Sequence, residues 1–161
     1  MGIGRAIATA FAAEKANVAL IDLDPETGNL APGLGRDHGV QVMAHVLDVT
    51  DFRALERSAR EIAASFARID HVIHAAAIGS GKFGFPFWKL EPADWDRVLR
   101  VNVGGAVQLT HAFVPALVAA CSGSLLFLAS VAGGQSRTVV TNSLIFSKRS
   151  ANLPPCGGRP K

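Results

Sequence analysis

Tyrosine is absent from this chain of 161 residues, and cysteine occurs only twice. Without a phenol, the chain cannot support chemistry in which a tyrosine hydroxyl gives or takes the proton. Cys121 and Cys156 are far apart and lack the paired spacing of a zinc site, so we expect no bound metal. There is no internal repeat and no secretory hydrophobic region before the first glycines. These absences favour a single cytoplasmic domain without a metal centre.

Acidic residues are missing from 134–161, which contains five basic residues and ends in a segment rich in proline and glycine. Because these five positive charges exceed the formal net charge of +3 of the whole chain, residues 1–133 are weakly acidic. We therefore expect no basic nucleic-acid surface on residues 1–133 and no nucleic acid as a partner. The helical periodicity is also lost after Gly134, so we expect 134–161 to lie outside the main fold.

Glycine is concentrated at the start of the chain, in the run Met-Gly-Ile-Gly-Arg-Ala-Ile-Ala. Gly2 and Gly4 lack a Cβ, so the backbone can approach a bulky anion, and the N–H groups of the following helix point at that anion. An apolar run then ends in Asp22, about 20 residues after the glycines, which is the spacing of a dinucleotide-binding unit. At that strand end, Asp22 is the candidate acceptor of hydrogen bonds from an adenosine ribose.

Strand and helix patterns alternate along the first half of the chain. A strand pattern over 38–47 is followed by a helix with Thr50 or Asp51 as its N-cap, and a further buried strand covers 69–77. The helix between them carries apolar residues on one face: Phe52, Leu55, Ala59, Ile62, Ala63 and Phe66. This alternation predicts right-handed crossovers and a parallel sheet.

Residues 101–136 carry no formal charge, which raises the question of a membrane span. Asn102, Pro115 and the turn at 121–124 are expected to break this stretch into a helix and a strand. We therefore interpret the stretch as buried core and expect no membrane.

Six motifs in this order resemble the short-chain dehydrogenase/reductase family. They are M-G-I-G-R-A-I-A, V-A-L-I-D, D-V-T-D, I-D-H-V-I-H-A-A-A, W-D-R-V-L-R-V-N-V and G-S-L-L-F-L-A-S-V-A-G, between about Gly2 and Gly133. The resemblance implies an α/β fold with a Rossmann-type doubly wound parallel sheet. It also implies an NAD(P)-dependent oxidoreductase that transfers hydride between a nicotinamide cofactor and a small-molecule alcohol or carbonyl substrate.

The resemblance assigns roles to individual residues. Those matching the cofactor-binding positions are Gly2, Ile3 and Gly4 in the pyrophosphate loop, Asp22 as the acid that selects NAD over NADP, Asp48 and Val49 in the adenine pocket, and Ala75 and Ala76 after the next strand. His74 to Ala77 stand where the family usually has Asn-Asn-Ala-Gly. Asn102 matches the asparagine of the family's proton relay, and Ser130 matches the catalytic serine.

The family's Tyr-x-x-x-Lys pair is absent. Its spacing from the serine falls on Ser143 and Ser147, with Lys148 one residue away from the lysine position. Because loss of a general acid or base slows a reaction on the order of 10²- to 10⁴-fold, we expect little turnover by this chain alone. The family's strand before the glycine loop is also missing, and it belongs between the strands that end at Asp22 and near Ala77.

The expectation from the sequence is therefore an incomplete Rossmann-type fold, without its first strand and its C-terminal half. Residues 1–133 form the dinucleotide-binding fragment, and 134–161 form an atypical basic tail. Two functions remain open: an NAD-dependent dehydrogenase/reductase, or an inactive fragment that binds nucleotide weakly or associates with a full-length relative. A homo-oligomer formed through the helix at 92–120 is the expected assembly.

Overall fold

The computed structural model describes residues 2–82 and 85–129. Helices and strands alternate through most of this part of the chain. In order they are α1 (Ile3–Ala13), β1 (Val18–Asp22), α2 (Glu26–His38), β2 (Val42–Val46), α3 (Phe52–Phe66), β3 (His71–His74), a 3₁₀ turn (Phe87–Lys89), α4 (Pro92–Leu99), a π-helical segment (Arg100–Gly104), α5 (Gly105–Ala119) and β4 (Ser124–Phe127).

The strands form two parallel pairs. β1 pairs with β2 in a register that runs from Val18 opposite Val42 to Asp22 opposite Val46. β3 pairs with β4, with His71 opposite Ser124. Among the described residues no ladder joins β1 to β3, so the sheet is divided into two halves. The α/β class with parallel strands, predicted from the alternating pattern, is confirmed.

Two apolar cores hold the strands in place, and the larger one contacts both strand pairs, since Ala19, Ile21 and Met43 of the first pair also pack against it. The larger core lies where α3 and α5 pack on β3, and its most buried side chains include Leu55, Phe113 and Leu117. The smaller core joins α1 and α2 to the first strand pair through Ala8, Ala12 and Leu34. Burial of this apolar surface is the main source of stability for both halves.

The amphipathic pattern of α3 correctly predicts which face is buried. Leu55, Ala59 and Ile62 are almost fully buried, and Asp51 is the N-cap, because its Oδ1 accepts the backbone N–H of Ala54 at 3.0 Å. The helix ends at Ala67, whose φ of +61° lies in the left-handed region. An alanine there carries backbone strain that glycine would not have.

Helix α2 is a finding that the sequence patterns did not predict. Its segment contains three glycines and Pro32, which are the residues that usually interrupt helices. Before the helix, the Oδ1 of Asp24 accepts the N–H of Glu26 at 3.0 Å. Ala31 and Leu34 are buried, and Leu34 packs against the first strand pair, so burial stabilises the helix despite its weak propensity.

The expectation that Asn102 and Pro115 interrupt the uncharged stretch is wrong, although its division into a helix and a strand is confirmed. The helical path runs through both residues from Pro92 to Ala119, and β4 follows. Asn102 is accommodated by a π-helical turn, and Pro115 lies inside α5. By length and composition this helix could cross a membrane, but Leu109, Phe113 and Leu117 are buried against α3 and β3.

Candidate functional site

A cavity of about 1590 Å³ is lined by both β1 and β3 and by the first turn of α1. It lies at the division between the two strand pairs. The residues predicted from the sequence that line it are Gly2, Ile3, Gly4, Asp22, Val49, Ala75 and Ala76. Seven candidate residues from four separate segments therefore share one cavity, whereas Asp48 and Asn102 do not line it.

The N-terminus of α1 opens into this cavity. Gly2 is its N-cap and provides no side-chain hydrogen bond to the first turn. Helix geometry leaves the first N–H groups without intrahelical partners and makes this end electropositive. A Cβ at Gly2 would meet nothing within 4 Å, whereas a Cβ at Gly4 would lie 3.3 Å from the Cβ of Ala75. Gly4 therefore allows α1 to approach the end of β3, and the space beside Gly2 remains open to a ligand.

Asp22 presents an exposed carboxylate at the end of β1. Its Oδ1 accepts the backbone N–H of Asp24 at 3.1 Å, which fixes the orientation of the group. An ionised carboxylate has about four lone-pair sites, so it can still accept hydrogen bonds from a ligand. The geometry places this acceptor on the same cavity as the N-terminus of α1.

Asp48 and Val49 were predicted together for an adenine pocket, but only Val49 lines the cavity. The Oδ1 of Asp48 accepts both the N–H and the hydroxyl of Thr50, each at 2.8 Å, and these bonds lower the pKa of the carboxyl group. Asp48 thus shapes the turn before α3. Val49 is buried on the cavity wall, where a Cβ at Gly105 would lie only 2.7 Å from its Cγ2. The role of Asp48 in an adenine pocket stays a prediction.

Asn102 holds the loop that follows β3. Its Oδ1 accepts the N–H of Ile78 at 2.8 Å, and its Nδ2 donates to the carbonyl oxygen of Ile78 at 2.9 Å. The π-helical turn gives this side chain its position, in keeping with the frequent use of π-bulges at functional sites. Asn102 therefore positions the backbone beyond Ala76, and its part in a proton relay stays a prediction.

His74 is the last residue of β3 and lies on the cavity wall with only 5% of its surface exposed. Burial lowers the pKa of its imidazole, because the charged form loses its hydration. Its Nε2 has no hydrogen-bond partner among the described residues. The predicted catalytic serine, Ser130, and the predicted tail at 134–161 lie outside the described residues.

An ion pair at the start of α4, whose two residues do not line the cavity, was not predicted from the sequence. The Nζ of Lys82 lies 2.6 Å from the Oδ2 of Asp94. Asp94 also accepts the N–H of Glu91 at 2.8 Å, and Glu91 and Asp94 form a reciprocal capping box at the start of α4. The bond from Lys82 is the main reason that the pKa of Asp94 is lowered. The spacing of Glu91 and Asp94, with Pro92 at the first helical position, was the sequence signal that could have predicted this helix start.

The fold is a parallel α/β arrangement, and its cavity runs along β1 and β3 from their amino ends to their carboxyl ends. A family model described as enoyl-(acyl carrier protein) reductase matches residues 1–150. Among curated proteins, the D-threitol dehydrogenase of Mycolicibacterium smegmatis is 33% identical over 132 residues, which cover 81% of this chain and 49% of that protein. The chain spans about half the length of the curated relatives that it matches.

Solved structures agree with this likeness. A NAD⁺-bound xylitol dehydrogenase matches with a TM-score of 0.75 and 27% identity, covering 84% of this chain and 51% of that chain. A metagenomic short-chain oxidoreductase in complex with NADP matches with a TM-score of 0.72 and 29% identity, covering 89% of this chain and 62% of that chain. The chain belongs to the short-chain dehydrogenase/reductase family, as its motifs predict.

Proposed function

We propose that this chain is an NAD-dependent oxidoreductase that acts on a small alcohol or carbonyl compound. The observation that carries the proposal is the shared cavity, in which the uncapped N-terminus of α1 and the Asp22 carboxylate face one space. These are the two kinds of group that recognise a pyrophosphate and a ribose. Family membership and the cofactors named for the two solved relatives support a nicotinamide dinucleotide as the ligand.

The residues present fit such a cofactor. The open space beside Gly2 and the free helix terminus would hold the pyrophosphate, and Asp22 would accept hydrogen bonds from the ribose hydroxyls. Val49 would cover the adenine, and Ala75 and Ala76 would leave room beside the strand end because their side chains are small. When bound, the nicotinamide would accept a hydride from an alcohol substrate or donate one to a carbonyl substrate.

We propose NAD rather than NADP, because the Asp22 carboxylate would repel a 2′-phosphate. Charge-assisted hydrogen bonds to the ribose contribute about 1.5 to 3 kcal/mol. In calorimetric titrations, Asp22→Ala should therefore weaken NAD about tenfold or more and reduce the preference over NADP. Asp37→Asn is the matched control, since Asp37 is an exposed acid that does not line the cavity. Tighter binding of NADP than of NAD by the unmodified chain would refute the assignment.

Ser130 and Asn102 are the residues proposed to take part in turnover, Ser130 by polarising the substrate oxygen and Asn102 by positioning the loop beside it. The second candidate function is nucleotide binding without turnover, and the absence of tyrosine from the sequence favours it. An assay of NADH formation with secondary alcohols separates the two. Turnover that is lost in Ser130→Ala supports the enzyme, whereas nucleotide binding with no turnover supports the second candidate.

We further propose a soluble cytoplasmic protein that forms a homo-oligomer through the helix at 92–119. Leu99, Val107 and Val118 on this helix are exposed, which supports a contact between copies. Sedimentation of the unmodified chain and of Val107→Glu tests this proposal. A monomer at all concentrations would contradict it.

A further inference from the structure

Val49 separates the cavity from the first residue of α5. The Val49 side chain lines the cavity, and the residue is only 9% exposed. Gly105 begins α5 on the other side of Val49, where it is buried and does not line the cavity. A side chain added at Gly105 would therefore push Val49 toward the cavity.

The contact between Val49 and Gly105 leaves no room for a side chain at Gly105. A Cβ at Gly105 would lie 2.7 Å from the Cγ2 of Val49, 3.3 Å from its Cβ and 3.8 Å from its carbonyl oxygen. Carbon atoms in van der Waals contact are about 3.5 to 4.0 Å apart, so the first two distances are too short. Any side chain at this position requires one of the two residues to move.

The backbone of Val49 is held on both sides. The Oδ1 of Asp48 accepts the N–H of Thr50 at 2.8 Å, and the N–H of Asp51 donates to the carbonyl oxygen of Asp48 at 2.9 Å. Asp51 is also the N-cap of α3, which fixes the chain directly after Val49. The Val49 side chain can therefore respond only by a change of its χ1 angle, which is restricted in a β-branched residue.

The start of α5 is held as well. Asn102, three residues before Gly105, bonds to both backbone groups of Ile78 at 2.8 and 2.9 Å. The N–H of Gly105 donates to the carbonyl oxygens of Arg100 and Val101. A retreat of α5 would disturb both sets of hydrogen bonds and the loop after β3. The side chain on the opposite side of the contact is therefore the group that moves.

We infer that Gly105 is a positioning residue for the cofactor. Because Gly105 has no side chain, Val49 lies back against α5 and leaves the part of the cavity beside it open for the adenine ring. The inference rests on the proposed binding of a nicotinamide dinucleotide, and it adds a residue outside the cavity that controls affinity at the adenine end. Gly105 acts through Val49 and touches no part of the ligand.

Calorimetric titration of the full chain with ADP-ribose tests the inference, since this compound carries the adenine, the ribose and the pyrophosphate without the nicotinamide. Gly105→Ala should weaken the binding of ADP-ribose at least tenfold. The matched control is Gly104→Ala, because a Cβ there would meet only the carbonyl oxygen of Leu99, at 3.9 Å. Both substitutions raise helix propensity in the same helical run, so the control should change the affinity less than twofold.

A double-mutant cycle separates positioning from a general structural effect. Val49→Ala removes the methyl group that a side chain at Gly105 would meet. In the Val49→Ala background, Gly105→Ala should therefore change the affinity for ADP-ribose less than twofold. If Gly105→Ala alone does not fold, the double variant should still give the circular dichroism spectrum of Val49→Ala.

Each outcome of these titrations decides the inference. A loss of affinity in Gly105→Ala that disappears in the Val49→Ala background supports it. Unchanged affinity in Gly105→Ala, or an equal loss in both backgrounds, overturns it and leaves the proposed function intact. A double variant that does not fold also overturns it. Absence of ADP-ribose binding by the unmodified chain overturns the proposed function and the inference together.

Discussion

His74 combines burial, an unpartnered ring nitrogen and a lowered pKa at the end of β3. A neutral imidazole is the form that this environment favours, because the hydration lost by the charged ring outweighs its hydrogen bond to the backbone of His74. By the motif resemblance, a titratable imidazole stands here where an asparagine amide is expected. His74 therefore makes the stability of this part of the chain depend on pH.

The predicted pH dependence has a definite sign. The folded pKa of His74 lies below its ordinary value of about 6.5, so the unfolded chain takes up the proton first as the pH falls. The contribution of neutral His74 to the free energy of unfolding is therefore complete above pH 6.5. It is lost as the pH falls from 6.5 toward the pKa of His74 in the folded chain. His74→Leu should reduce the slope of the free energy of unfolding between pH 6.5 and 5, measured by urea titration. An unchanged slope would contradict this role.

Ala67 offers a test of backbone strain at a single residue. Ala67→Gly should stabilise the chain by about 1 kcal/mol, because an L-residue in the left-handed region costs roughly 1 to 2 kcal/mol relative to glycine. The matched control is Ala64→Gly, one turn earlier on the exposed face of α3, which should destabilise by about 1 kcal/mol. The free energy of unfolding in urea measures both. Destabilisation by Ala67→Gly would show that the helix does not end as described.

At the scale of elements, the π-helical turn and the loop after β3 act as one unit through Asn102 and Ile78. Asn102→Leu keeps the approximate volume but removes both hydrogen bonds. We expect a loss of about 1 to 3 kcal/mol in the free energy of unfolding, since a partly buried N–H and C=O would be left unpaired. Thr110→Val on the same helix removes only a local bond to the Ala106 carbonyl and should cost less than about 0.5 kcal/mol. Equal effects would contradict the role of Asn102.

Local patterns predicted α3, its cap and the four strands, because each has a strong periodicity or a recognisable stop. They did not predict α2, whose helix depends on packing of Ala31 and Leu34 more than on propensity. The candidate site was likewise predicted only in part. Gly2, Asp22 and Val49 reach one cavity because parallel strands and helix termini meet there. The contact between Asn102 and Ile78, 24 residues apart, has no counterpart in local sequence and could not be predicted.

The whole molecule contains two strand pairs that no backbone ladder joins within the described residues, and only side-chain packing of Ala19, Ile21 and Met43 on the larger core links them. This division of the sheet predicts weakened cooperativity in unfolding. The calorimetric enthalpy of thermal unfolding should exceed the van't Hoff enthalpy. The edges of β1 and β3 that pair with no described strand should also make the chain associate as its concentration rises. Differential scanning calorimetry and light scattering measure these two properties. A sharp, concentration-independent transition would show that the halves unfold as one unit.

The two-part sheet also has a consequence for biosynthesis. Each strand pair is built from consecutive segments of the chain: β1, α2 and β2 precede residue 47, and β3, α5 and β4 follow residue 70. No strand of the first pair has to wait for a partner from the second, so the first pair is complete once residue 46 has left the ribosome. N-terminal domains generally fold first during synthesis, and here the same order applies to the two strand pairs of a single sheet. The backbone pairing of β1 with β2 can therefore form early, whereas the packing of Ala19, Ile21 and Met43 on the larger core has to wait until α3 and α5 have been synthesised.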